Sequence, residues 1–398
     1  MGTSFSIVYP TRHRPEFLQQ ALRILESQGH DQFEVIVSDN YVDPALSCEQ
    51  VCRESVLANL RYVRPPQPLG MVENWNHALP FATGDYVSFL TDKMFVLPDA
   101  LGRIERAIEL AGGPDVVSWT GDAYNPGSYA DYFGDGVYVS QASEVGSDQL
   151  YQPFSPSGEL DRRGAGEVAR GEQTPSEYSR GKLVFGAYRR GLVEQIAARH
   201  GALFHNINPD YTSMVLGLSA ADSAIELGSS CVVSINTEIS NGMLCDTNDA
   251  AALAFLDSLA GGARSILPDM LVPGLYASLH NWVAHDYLLL KRDFGLSFQF
   301  DTANWLVYCT EDIDRPERQW SAPRVEEGQK ALLQGFVESL EPAVAAAVQS
   351  RIAARARRAR NPLWRRISRR VVPRPSRPDP LPFPSIQAAV AHWATGRS

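Results

Sequence analysis

Short apolar runs alternate with amphipathic stretches over the first 120 residues. "FSIVY" (5–9) is apolar enough for a buried strand, and Pro15 opens a helix whose Phe17, Ala21, Leu22, Ile24 and Leu25 form one broad stripe. "FEVIVS" predicts the next strand, Pro44 to Leu57 a helix, "LRYV" a strand, and Met71 to Phe81 a helix ended by Gly84. "YVSFL" is nearly continuous in apolar residues, as expected of a strand covered on both faces. It runs into Thr91-Asp92-Lys93-Met94, then a helix from Pro98 to Ala111, then the strand "DVVSWT". Strands alternating with helices predict a parallel sheet with right-handed crossovers, its ligand site beyond the carboxyl ends of the strands.

From Gly121 to Thr174 the pattern dissolves into Gly, Ser, Asp and Tyr, which predicts long loops over a site. "KLVFGAYRRGLVEQIAARHG" restores a strand and a helix, "FHNINPDYTSMVLGLSAAD" reads as a loop entering a helix, and "CVVSIN" as a strand. Residues 250–350 read as mainly helical, without internal repeats. The expected division is an α/β unit over 1–245, with a nucleotide-binding half (1–120) and an acceptor half (121–245), then a helical extension (246–350) and an Arg/Pro-rich basic tail (351–398).

Composition narrows the class. A chain of 398 residues, 44% hydrophobic and 21% charged, can bury a large core. The five cysteines lack CxxC spacing, His280 and His285 lack zinc-protease spacing, and both sets read as packing residues. No run of about 18 apolar residues spans a bilayer, the N-terminus does not read as a signal peptide, and "MGTSFS" reads as the approach to the first strand rather than a myristoylation signal. The expected location is the cytoplasm, with peripheral contact at the inner membrane face. Residues 351–378 hold eleven arginines and no acid, which leaves 25 basic against 46 acidic residues elsewhere, a net of −21. An acidic body argues against nucleic acid as a partner. Ile352, Ala356, Ala359, Leu363, Ile367 and Val371 recur at helical spacing among the arginines, with Asn361-Pro362 splitting the segment, so 351–377 is expected to lie on an anionic membrane surface.

The strand exits carry the candidate chemistry: Pro10-Thr11-Arg12-His13-Arg14, Ser38-Asp39-Asn40 and Thr91-Asp92-Lys93. With "SIVYPTRHRPEFLQQAL", "FEVIVSDN" and "LGMVENWNHALPFATGDYVSFL" in this order, the chain resembles a family 2 glycosyltransferase of the GT-A fold. The resemblance covers residues 4–120 well and 180–242 more loosely. It implies a mostly parallel sheet flanked by helices, with the mainly helical extension following. It implies transfer of a sugar, with inversion, from a nucleotide-diphosphate donor, expected to be a UDP-sugar, to an acceptor hydroxyl or amine. It also implies donor contacts from Pro10, Thr11, Arg12, Arg14, Asp39 (uracil or ribose), Asn76, Thr91 and Asp92.

Such a reaction needs a base for the acceptor proton and positive charge for the leaving diphosphate. Asp210, at the head of a helix, is the candidate base, with Glu177 and Asp122 as fallbacks and a helix N-cap as the structural alternative for Asp210. The family typically reads "FLDxDD" where this chain has Thr91 and Lys93, so Lys93 is expected to supply the charge, helped by Arg12, His13 or Arg14. No tightly bound cofactor is expected; Mg²⁺ or Mn²⁺ would have Asp92 alone as a carboxylate ligand. A catalytically silent nucleotide-sugar-binding scaffold is the alternative function. A nucleotidyltransferase is disfavoured, because no Gly-rich phosphate loop follows the first strand.

Overall fold

The computed structural model describes residues 2–398 apart from 142, 144, 146–148, 168–173, 238–241, 243, 244, 246, 247, 315–326, 361–379 and 396–398. β1 (Phe5–Thr11), β2 (Phe33–Asp39), β3 (Leu60–Val63) and β4 (Tyr86–Phe89) pair in parallel. β10 (Gly186–Arg189), β6 (Val116–Ser118), β11 (Ala224–Leu227) and β9 (Tyr151–Phe154) complete an eight-stranded sheet ordered β3-β2-β1-β4-β10-β6-β11-β9, with β10 antiparallel to both neighbours. β1 is buried along its whole length, the state its apolar run predicts. The register sets Thr11 beside Asp39 and Val8 beside Phe89, so the three polar exits leave the sheet on one rim. Glycine is required at position 84, where a Cβ would stand 2.7 Å from the β1 backbone at Phe5 and Ser6.

Helices α1 (Pro15–Leu25), α2 (Glu49–Glu54), α3 (Met71–Ala78) and α4 (Ala100–Leu110) cross between these strands, and the α1 stripe is buried as its spacing predicts. The helix expected over Pro44 to Leu57 is instead a 3-10 turn at Pro44–Leu46 and the short α2. The break falls where Asp39 takes the Cys48 N–H and the Ser47 hydroxyl for itself.

The expected loops of 121–174 are in large part a folded layer. β7 (Gly121–Ser128) and β8 (Asp131–Val139) form a hairpin, and α5 (Pro156–Gly164) follows β9. Its glycines serve close packing: a Cβ at Gly136 would meet the Tyr124 ring at 2.6 Å. Tyr132 and Phe133 pack on Phe17 of α1 with ring centroids 5.3 and 5.0 Å away. β5 (Met94–Val96) and β12 (Val232–Ile235) extend the hairpin into a second sheet, whose far edge is β13 (Leu381–Phe383), in the order β13-β8-β7-β12-β5. The segment after Thr91-Asp92-Lys93 therefore enters this second sheet before the helix begins.

α6 (Pro175–Ser179), α7 (Arg190–His200) and α8 (Pro209–Ala220) complete the α/β part of the chain. Beyond it lie α9 (Asp249–Asp257), α10 (Gly262–Ile266), α11 (Leu279–Asp293), α12 (Thr302–Ile313), α13 (Glu327–Ser339) and α14 (Pro342–Arg360), the expected helical extension. No single helix among the described residues is long and apolar enough to cross a membrane.

The basic tail departs from expectation at both ends. α14 continues past residue 350, and its first tail arginines are tied to α12. Arg351 bonds Asp301 and Asn304; Arg355 bonds Glu311 and lies over the Tyr308 ring at 4.4 Å. Ile352, assigned above to a lipid-facing stripe, packs into the helical core. At the other end, β13 pairs with β8, and α15 (Ile386–Thr395) buries Ile386, Ala389 and Val390 in the core of the α1 side. The Asn361-Pro362 split and the positions Leu363, Ile367 and Val371 lie outside the described residues.

Candidate active site

The first strand exits into a turn in which His13 has a positive φ of 59° and its Nε2 accepts the Val42 and Asp43 N–H groups. Arg12 donates through Nε to the Asn40 carbonyl and through Nη2 to the Leu69 carbonyl. Asn40 bonds both polar groups of the Leu69 backbone. Arg12 and His13 are thus spent on fixing the loops after β2 and β3, and Arg14 is the residue of the trio that faces the β4 exit. Pro10 is in register with Ser38, whose hydroxyl donates to Asn74 of α3.

Asp39 is fully buried at the β2 exit. Its Oδ2 accepts from Ser47, the Cys48 N–H and Tyr62, whereas its Oδ1 is buried with no hydrogen-bond partner. A buried carboxylate oxygen without a donor is costly, and a donor brought by a ligand removes that cost.

Thr91 to Met94 is a tight turn closed by the Met94 N–H on the Thr91 carbonyl at 2.9 Å. Asp92 turns inward: Oδ2 accepts from Thr11 at 3.0 Å and Oδ1 from Arg14 at 3.1 Å. The Lys93 carbonyl receives the Ile235 N–H, which fixes the turn to β12. Burial, and then the neighbouring Arg14, push the Lys93 ammonium down to about 8, while Asp92 opposes the shift. Tyr9 beneath the turn is raised by burial and by Asp92 and stays neutral.

A divalent cation needs several oxygen ligands around it. In this turn the single carboxylate is committed to Thr11 and Arg14, a lysine follows it, and Thr91 offers one hydroxyl, buried without a hydrogen-bond partner. Among the described residues no three His, Cys, Asp or Glu side chains are grouped to hold a metal. The residues present do not fit the metal that the family resemblance implies, and Asp92 is not placed as its ligand.

Asn76, expected at the donor, clamps the backbone of Phe204 instead: its Nδ2 donates to the carbonyl and its Oδ1 accepts the N–H. Phe204 also packs against Trp75 and against Phe89, two residues before Thr91. This aromatic contact joins the β4 exit to the loop that carries Asp210.

Asp210 is the second residue of α8. The N-cap is Asn208, so Asp210 does not cap the helix. Its carboxylate is 29% exposed, with Oδ2 3.5 Å from Lys182 Nζ. Asp286 of α11 holds the loop beneath it by accepting the Ile207 and Asn208 N–H groups and the Asn208 amide. The fallback carboxylates have structural work. Glu177 forms a capping box with Thr174 and pairs with Arg162, and Asp122 is buried and accepts from Tyr138, Gln141 and Ser230. Lys182 and Asp286 were not picked out in the sequence. Nothing local marks them, since their partners lie 28 and 78 or 79 residues away along the chain.

Residues 6–155, somewhat over a third of the chain, match the sequence model of Glycosyl transferase family 2. Protein CgeD of Bacillus subtilis (strain 168) is 30% identical over 110 residues, 26% of each chain, so the matched part is about a quarter of that relative's length. Among solved structures, S. aureus TarS 1–349 in complex with UDP-GlcNAc aligns with 88% of this chain and 89% of its own, at 13% identity and a TM-score of 0.47. TarS 1–349 in complex with UDP aligns at 12% identity and 0.46, covering 89% and 91%.

Proposed function

We propose that this chain transfers a sugar from a nucleotide-diphosphate donor, a UDP-sugar, to an acceptor hydroxyl or amine with inversion, and does so without a metal at the β4 exit. The observation that carries the reading is the division of charge around the rim. A lysine and an arginine stand at the turn where the diphosphate of a family 2 donor belongs, and at the acceptor side Asp210 is a partly exposed carboxylate not consumed by backbone or caps.

In this reading Asp39 Oδ1 accepts from the base or ribose of the donor, and Thr91 contributes its hydroxyl. Asp210 takes the proton from the acceptor as its oxygen or nitrogen attacks the anomeric carbon from the face opposite the diphosphate. The bond from that carbon to the diphosphate breaks, its electron pair leaves on the phosphate oxygen, and the Lys93 ammonium meets the growing charge. The alternative, a silent scaffold, leaves Asp210 only its pairing with Lys182 and gives no reason for its exposed side.

Asp210→Asn preserves size and removes the base. Transfer is expected to fall about 10²- to 10⁴-fold while UDP binding stays near wild type. Wild-type turnover in this variant would sink the reading. Donor binding with no release of UDP from any of a panel of UDP-sugars, with or without acceptor extracts, would favour the scaffold.

A further inference from the structure

Lys182 is buried to 1% exposure in the turn between α6 and β10, and its Nζ has no hydrogen-bond partner. An ammonium in such a place is expensive unless compensated. Three groups compensate it: the Tyr178 ring at 4.1 Å, the Tyr211 ring at 3.9 Å, and Asp210 Oδ2 at 3.5 Å.

The turn itself is rigidly built. Gly181 has a φ of 81°, a conformation that favours glycine, and its carbonyl accepts the Tyr188 hydroxyl at 2.6 Å. That hydroxyl also reaches the Ser213 carbonyl of α8, so the turn carrying Lys182 and the helix carrying Asp210 share one anchor. The ammonium thus approaches Asp210 from the protein side, while the carboxylate keeps its exposed side toward solvent.

We infer that Lys182 is a positioning residue for the base: its ammonium, held between Tyr178 and Tyr211, fixes Asp210 Oδ2 so that Oδ1 is presented to the acceptor. The inference rests on Asp210 as base and adds the residue that orients it. The other titratable groups facing Asp210 are Tyr211 on its own helix and Asp286 and Tyr287 of α11. Burial pushes Asp286 up to about 8, with Asp210 adding to the rise, and burial raises Tyr287 so that it stays neutral. Arg163 and Glu159 also act on Tyr287, and Lys182 is the cation paired directly with Asp210.

The test is a carboxyl carbon-13 NMR titration of the full chain labelled at aspartate, with the Asp210 resonance assigned by its loss in Asp210→Asn. In Lys182→Met the Asp210 midpoint is expected to rise by about one unit or more, since a unit charge at 3.5 Å has that effect even at water-like dielectric. Lys182→Arg is expected to restore the wild-type midpoint. Release of UDP from UDP-glucose, UDP-galactose and UDP-N-acetylglucosamine, with water as acceptor, should lose its acid limb at correspondingly higher pH in Lys182→Met. Tyr178→Leu, at a 40% exposed position, should move the midpoint the same way by less. A midpoint within about 0.2 unit of wild type in Lys182→Met, or in Tyr178→Leu if the former does not fold, overturns the inference. Full transfer by Asp210→Asn would instead overturn the base assignment and leave the titration result standing.

Discussion

Lys93→Met removes one charge from the β4 exit and keeps the length of the side chain. Taking the ammonium to lie about 4 Å from a donor phosphate oxygen, Coulomb's law gives about 4 kcal/mol at an effective dielectric of 20 and about 2 kcal/mol at 40. The residue is half-buried beside Arg14 and Asp92, so solvent screens part of this. A loss of about 2–4 kcal/mol corresponds to a fall in kcat/KM on the order of 30- to 1000-fold. The pH dependence supplies an independent check. Burial holds the free-enzyme ammonium at about 8, and the charged form is the one proposed to face the diphosphate. Activity in kcat/KM should therefore be present below 8 and fall about tenfold per unit above it.

The bound diphosphate favours the ammonium, so the same limb in kcat should lie at higher pH than in kcat/KM. Lys93→Arg should move the kcat/KM limb beyond the measured range, because a guanidinium stays charged. The assay is UDP release from the preferred UDP-sugar across pH 6 to about 10, in chelator throughout. Two results would refute the reasoning. One is an alkaline limb unchanged in Lys93→Met. The other is complete loss of wild-type turnover in chelator with recovery in added manganese or magnesium.

Asp39→Asn leaves the side chain's volume but places an amide where Ser47, Cys48 and Tyr62 donate and where the ligand is expected to donate. UDP affinity by calorimetry should fall by about 1.5–3 kcal/mol, the worth of a hydrogen bond to a charged group, and unchanged affinity would remove Asp39 from the donor site. Deleting residues 380–398 strips β13 from β8 and Ile386, Ala389 and Val390 from the core. Urea unfolding should show a loss of roughly 3–6 kcal/mol, and an unchanged midpoint would mean this packing is not used in solution.

The parallel half of the large sheet was legible because its signals are local. β1 and β4 are buried on both faces and read as nearly continuous apolar runs, and α1 shows its buried stripe directly. The strands that were missed hide their signal in charge or glycine. β11 carries Glu226, which looks like a loop residue until Arg180 is seen to pair with it in the interior. The hairpin of β7 and β8 reads as loop because Gly136 makes room for Tyr124 and Asp131 closes its turn through the Phe133 and Gly134 N–H groups. The arginines of 351 and 355 read as solvent or lipid contacts because Asp301 and Glu311 lie 50 and 44 residues earlier.

The same distinction separates the two sides of the candidate site. The side proposed for the donor consists of strand exits, and a strand exit is defined by the strand before it, so Thr11, Asp39 and Asp92 could be placed on one rim from pattern alone. What pattern could not supply is how each side chain is spent. Alternation along an extended strand would turn Asp92 away from its neighbours, whereas a turn at 91–94 brings it onto Thr11 and Arg14, and Arg12, chemically as able to bind phosphate as Arg14, is consumed by two carbonyls. On the side proposed for the acceptor, the candidate base Asp210 could be picked out from its place at a helix head, but its setting is assembled from three separated segments. Lys182 and Asp286 meet Asp210 and its loop only after α6, α8 and α11 have packed. An isolated Asp at a helix N-terminus is equally a cap, and the structure removes that alternative by giving the cap position to Asn208 and the buried cation to Asp210.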